Sequence, residues 1–228
     1  MPNIYSSSGD GYAQGNQEST FAAGRNHIGF NADNNNVRDS YGVIVESISG
    51  KGGGETHFFR RAFFFFDTSG ISVAPSEATL KIKGYSQNNS DVIAVKSTAA
   101  DPIVSAGFND LSGASTALGN SDGSGAGTLA GVSGLTYSSE LATWSTSGYN
   151  DIELNSTALS DMASLDDFKI CVMDYDYDYL DISPSLGTLV KIGFYWADYT
   201  GTSLDPYIDY TAGTVAATDN SVFFGCNF

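Results

Sequence analysis

Hydrophobic and polar positions alternate along much of the chain. In "SEATLKIKGYS", Ala78, Leu80 and Ile82 fall on one side of an extended backbone, with Thr79, Lys81 and Lys83 on the other. That pattern predicts a strand with one buried face and one wet face. "HFFRRAFFFFDTSGI" (57–71) is denser. Phe64 and Phe66 share one face and Phe63 and Phe65 the other, so this strand is expected to be covered on both sides. Asp67-Thr68-Ser69-Gly70 marks the turn that ends it. Further strands are expected in "YGVIVESI", "DVIAVKS", "YNDIELN" (Ile152 and Leu154 inward), "DFKICVMD", "TLVKIGFYWAD" (Val190, Ile192, Phe194 and Trp196 on one face) and "PYIDYTA". "STFAAGRN" reads as a weak strand. Asn88-Asn89-Ser90 separates "SEATLKIKGYS" from "DVIAVKS", and a hairpin is expected to join those two.

Only "STALSDMASLDDF" carries a helical pattern, with Leu159, Met162 and Leu165 in register and Ser156 or Thr157 as the cap. From about 105 to 136 small residues dominate and no period survives, which predicts a long glycine-rich insertion decorating the surface. The expected fold class is therefore all-β: a jelly-roll-like β-sandwich of two antiparallel sheets, with one short helix and that insertion. The sandwich is expected over residues 1–211. Residues 212–228 form a C-terminal extension that adds a strand or reaches a partner.

Composition narrows the function classes. Ten basic against 26 acidic residues give a net charge of −16, which repels phosphate backbones and anionic lipid, so neither nucleic acid nor a membrane surface is an expected partner. No apolar run is long enough to span a bilayer. The opening "MPNIYSSSGDGY" has no basic n-region and no apolar h-region, so no signal peptide is expected. Cys171 and Cys226 do not make a disulfide framework. Cys171 reads as a small buried hydrophobe, and the pairing of Cys226 is open.

The stretch "MDYDYDYLD" (173–181) carries the candidate chemistry. As one continuous strand, it would set Asp174, Asp176 and Asp178 on the same face as Phe168, Ile170 and Val172. Unpaired carboxylates are too costly to bury there, so the strand must leave the sheet near Asp174, twist, or meet cations. Asp174, Asp176 and Asp178 open with the spacing of an EF-hand loop. Tyr179 stands where that loop needs glycine and Ser185 where it needs glutamate, so a calcium site would have to draw ligands from separate loops. Tyr175, Tyr177, Tyr179 and Trp196 suggest a second use, an aromatic platform for sugar rings. Ordinary packing, at a strand edge or in the core, is the third reading.

No catalytic set emerges. His27 and His57 are not at metal-ligand spacing. "GNSDG" (119–123) matches the nucleophile-elbow spacing at Ser121, but it lies inside the small-residue insertion and both histidines precede it. "KGGGE" (51–55) lacks the Gly-Lys-Ser/Thr ending of a phosphate loop. The chain is expected not to be an enzyme.

"RRAFFFFDTSGI", "SEATLKIKGYS" and "GTSLDPYIDYT" together resemble DNRLRE-type and carbohydrate-binding-module-like sandwich domains, over roughly residues 10–211. The matching positions are Arg61, Phe66, Asp67, Ala78, Leu80, Ile82, Pro206, Ile208 and Tyr210. On that pattern Arg61 and Asp67 would anchor neighbouring strands at the rim. "FKICVMDYDYDYLDISPS" and "GFYWADYTGTSLDPYIDYT" also resemble domains of tailed-bacteriophage structural proteins. The resemblance implies a virion protein made in the host cytoplasm, decorating a head or forming part of a fibre, and associating with itself or other virion proteins. The alternative it implies is a carbohydrate-binding module or adhesin for a cell-surface glycan, with calcium as the candidate cofactor.

Overall fold

The computed structural model describes residues 2–34, 41–50, 53–119 and 126–214. The expectations placed on Ser121, Cys226 and the chain from 215 onward lie outside the described residues. Within them, eleven strands pair antiparallel and form an all-β sandwich.

β5 (Glu55–Asp67) is the longest strand and organises one sheet. One of its edges carries β2 (Gly11–Gln14), which pairs in turn with β3 (Asn31–Asp33). Its other edge is shared by β4 (Tyr41–Ser49) along the first half and β9 (Asp167–Asp174) along the second. β7 (Val92–Lys96) extends the β9 branch, and β10 (Leu189–Phe194) extends the β4 branch. The second sheet is reached through β6 (Glu77–Asn88). Its last residues pair with β10, while its first half lies between β8 (Tyr149–Glu153) and β11 (Tyr207–Thr211), with β1 (Asn3–Tyr5) outside β11.

The two faces of β5 feed two cores, as its sequence predicts. Phe64 and Phe66 enter the space between the sheets with Leu80, Ile82, Ile152, Phe168, Ile170, Val172 and Ile208. Phe59, Phe63 and Phe65 face the other way and meet Ile93, Val95, Cys171 and Met173. Fully burying a side chain of this size removes it from water at a gain of roughly 1.5–3 kcal/mol, so neither face could be left wet.

The second core explains why the described parts of the 105–136 stretch, 105–119 and 126–136, are not surface decoration. Phe108, Leu111, Leu118, Leu129 and Leu135 are buried and close over the outer face of β5, β7 and β9. A 3₁₀ turn at Ser105–Asn109 and the one-turn helix α2 (Ser115–Leu118) set these side chains down at irregular intervals. An irregular cover leaves no periodicity in sequence, which is why the pattern reads as a loop.

Three local expectations are corrected. "STFAAGRN" holds a helix, α1 (Phe21–Arg25), started by the Thr20 hydroxyl accepting from the Ala23 amide at 3.2 Å. A Cβ on Gly24 would stand 3.0 Å from the His57 carbonyl, a tight approach that glycine avoids where this helix lies against β5. α3 (Ser156–Ser164) is capped by Asn155, one residue before the expected caps, through the Thr157 and Ala158 amides. Finally, β6 and β7 do not form a hairpin. β7 has apolar side chains on both faces, Val92 and Ala94 in one core and Ile93 and Val95 in the other, so it pairs with the doubly covered β9 instead.

If the 105–136 cover is part of the core, Phe108→Ala should cost about 3–5 kcal/mol of unfolding free energy. Urea denaturation reads this directly, and a loss within about 0.5 kcal/mol, as for a surface site, would contradict it.

Candidate functional site

The strand of "MDYDYDYLD" does leave its sheet at Asp174, but into a helical turn rather than an exposed rim. β9 ends there, and Tyr175–Tyr179 coil into one π-helical turn. Asp174 caps it: Oδ1 accepts from the Tyr177 amide at 2.8 Å and Oδ2 from the Ser90 hydroxyl at 3.3 Å. Burial pushes the Asp174 carboxyl up to about 7. The Tyr177 amide opposes the shift, and the negative charges of Asp91 and Asp178 add to it.

Asp178 is only 1% exposed and has a different environment. Arg61, fully buried in mid-β5, grips it with two parallel bonds, Nε to Oδ2 and Nη2 to Oδ1, both 2.7 Å. The remaining Arg61 donors reach the carbonyls of Phe108 (2.8 Å) and Arg25 (2.9 Å) and Asn109 Oδ1 (2.7 Å). Arg25, also buried, donates to the Asp178 carbonyl at 2.6 Å and lies 3.1 Å from Asp181. Arg61 is therefore not a rim anchor but the centre of a buried network. Asp67 is exposed and holds Ser69 in the turn that follows β5.

The proposed calcium ligands are thus separated by function. Asp174 caps, Asp178 is committed to arginine, and Asp176 faces Asp91 and Glu140. Among the described residues no three carboxylate, histidine or cysteine side chains are grouped to hold a metal ion. The aromatic set is separated too. Trp196 is 0% exposed and stacks on Phe64 inside the inter-sheet core, so no ligand can lie on it. Tyr179 is buried in the second core, its ring stacked on Tyr175 at 5.6 Å, and Tyr175 and Tyr177 pack half-buried against the same core. These four rings do not form one surface. His57 packs edge-on to Phe21, and burial lowers its pKa, while His27 Nδ1 accepts from the Gly29 amide at 3.0 Å.

An aromatic surface does exist elsewhere, on the outer face of the sheet β1-β11-β6-β8. Residues that alternate with the partly buried Ile4 and the buried Ile208, Leu80, Ile82 and Ile152 point outward. Register sets Tyr5 beside Tyr207, Tyr207 beside Lys81, and Lys81 beside Asp151, with Tyr149 beside Lys83. The Tyr5 and Tyr207 rings are 5.6 Å apart and those of Tyr207 and Tyr149 5.3 Å, tilted by 45° and 71°. Tyr5 is 43% exposed, and the other two rings are half-buried. Lys81 and Asp151 pair at 2.7 Å, and the Tyr149 hydroxyl donates to the Ser203 carbonyl at 2.8 Å. Burial first, then Tyr207, Asp205 and Tyr5, lift Tyr149 to about 12, so it stays a neutral donor.

No family model matches this chain, and no curated protein matches it. Sequence alternation marks Tyr149 and Tyr207 as outward-facing within their own strands. What gathers them with Tyr5 is the strand order, which no single strand carries.

Removing the Asp178 carboxylate leaves Arg61 charged and unpaired in the second core. Asp178→Ala should therefore cost about 3–5 kcal/mol in denaturant unfolding, against about 1 kcal/mol or less for Asp151→Ala at the exposed Lys81 pair.

Proposed function

We propose that the chain is a non-enzymatic recognition module that holds a saccharide on its outer sheet face, through Tyr5, Tyr207 and Tyr149, and that it is displayed on a virion surface. The observation that carries this reading is the convergence of three tyrosines from three strands on one solvent-facing surface with charged groups beside them. Aromatic faces accept the C–H groups of sugar rings, and the neighbouring lysines, aspartate and phenols bind hydroxyls. The tilt between the rings suits a single flexible glycan chain better than a flat crystalline surface. Lys81 and Asp151 neutralise each other, which fits orienting a hydroxyl better than transferring a proton. The charge of −16 argues against a nucleic-acid base in the same place.

The virion setting follows the resemblance of the two tyrosine-rich stretches, and tyrosine-rich surfaces are also common at protein contacts. Self-association or docking on another virion protein through this face is the second reading.

A glycan array run with calcium and again with EDTA should give the same binding in both, since no carboxylate set is needed at this face. Tyr5→Ala and Tyr207→Ala should each weaken binding about 3- to 10-fold with little loss of stability. Binding that vanishes with EDTA, or survives both substitutions, would end the assignment of the site. No glycan binding, together with tyrosine variants that dissociate an oligomer, would favour the assembly reading. A chain that stays monomeric and is found on no particle would end the virion setting.

A further inference from the structure

Beside the tyrosine face lies a group of carboxylates of the opposite character to Asp178. Asp10, in the turn between β1 and β2, is 0% exposed. Its two oxygens share one weak backbone donor, the Ala197 amide, at 3.3 Å each, and the Ser6 hydroxyl also hydrogen-bonds it. Its charged neighbours are Asp198 and Asp205. Asp205 is 5% exposed, and its Oδ1 is buried with no hydrogen-bond partner. The negative charge of Asp33, on β3, acts on Asp198 and also on Arg60. Among the described residues no lysine, arginine or histidine ion-pairs with Asp10, Asp198 or Asp205. Two buried carboxylates, with half-buried Asp198 beside them, cannot all be ionised without a large cost.

What they hold is the 195–206 segment, which joins β10 to β11. It is tied to every tyrosine of the outer face: Ser6, next to Tyr5, donates its amide to the Pro206 carbonyl at 2.9 Å, Pro206 precedes Tyr207, and the Tyr149 hydroxyl bonds Ser203. We infer that Asp10 is a proton-dependent clasp: neutral, it fastens the 195–206 segment behind the tyrosine face, and ionised, it releases that segment. Burial raises the Asp10 carboxyl well above its ordinary 3.8; Ala197 and Ser6 oppose this, and Asp198 and Asp205 add to it. A folded-state value above the unfolded one means the stabilisation is complete below 3.8 and is lost as pH rises through the folded value. The arrangement of the three tyrosines therefore loosens toward alkaline pH. Its role in recognition rests on the saccharide reading above, whereas the clasp itself does not.

The chain carries its own probe. Trp196 adjoins Ala197 and is fully buried, and Trp144 is the only other tryptophan. In a Trp144→Phe background without saccharide, Trp196 emission and acrylamide quenching are followed from about pH 4 to about pH 8.5, below ordinary tyrosine ionisation. Emission should move to longer wavelength and quenching should rise severalfold as pH increases. Asp10→Asn keeps an acceptor for Ala197 but cannot ionise, and should abolish the change. Asp205→Asn removes a negative charge that raises Asp10 and should move the change to lower pH. If the Trp144 background or the Asp10 variant does not fold, hydrogen exchange at the Ala197 amide, compared between the unaltered chain and Asp205→Asn, reads the same release. A profile that is flat in the unaltered chain, or unchanged by the aspartate substitutions, would overturn the clasp. A pH-dependent clasp on a chain that binds no glycan would overturn only the saccharide reading. Glycan binding with no pH-dependent release would overturn only the clasp.

Discussion

The bidentate pair between Arg61 and Asp178 is the constraint around which the second core is built. Arg61 shares a strand face with Phe59, Phe63 and Phe65, where alternation would place another apolar side chain. A guanidinium there is tolerable only if every N–H finds an acceptor, and each does: Asp178, two backbone carbonyls and Asn109. Those acceptors come from α1, the 3₁₀ turn at 105–109 and the π-helical turn, three segments with little regular structure of their own. Hydrophobic burial alone would accept many placements of such segments over a flat apolar face. Directional bonds to one fixed arginine narrow the placements, because any shift leaves a buried charge or carbonyl unpaired.

The same pair accounts for the layering. β5 is apolar on both faces, so the sandwich between the sheets satisfies only one of them. The other is closed by a cover drawn from 105–119, 126–136 and 175–180, making a third layer, irregular but as dry as the first core. Cys171 sits inside it, and burial raises its thiol far from any reactive range.

How much of this could be read in advance depended on whether the signal was local. Strand faces were legible because alternation is a property of four or five neighbouring residues, and Phe63 to Phe66 announced a doubly covered strand. The glycine-rich cover was not, since Phe108, Leu118 and Leu129 recur at no period. "DYDYDY" misled for a geometric reason. Residues four apart share a face both on a strand and on a helix, so the spacing of Asp174 and Asp178 fits either conformation, and the alternation continues past the point where the backbone coils. The usable clue lay elsewhere: an arginine on an otherwise aromatic strand face requires a buried acid, and Asp178 is the acid brought to it. Trp196 failed as a ligand platform for the opposite reason. Its alternation with Phe194 and Ile192 had already placed it inside.

The buried carboxylates separate the part of the chain that holds the fold from the part that can respond to its surroundings. Asp178 has two arginines and a fixed geometry, so its pairing belongs to the structure. Among the described residues no cation pairs with Asp10 or Asp205; Asp10 has one backbone amide for both its oxygens and Asp205 an unpaired oxygen, so their state depends on the proton supply. An acidic chain with 10 basic residues cannot neutralise every carboxylate that folding removes from water. The cations buried at the cover leave the opposite region, behind β1 and β11, to be balanced by protons instead. That region adjoins the tyrosine face, and so the surface best suited to recognition is also the one whose support is set by pH.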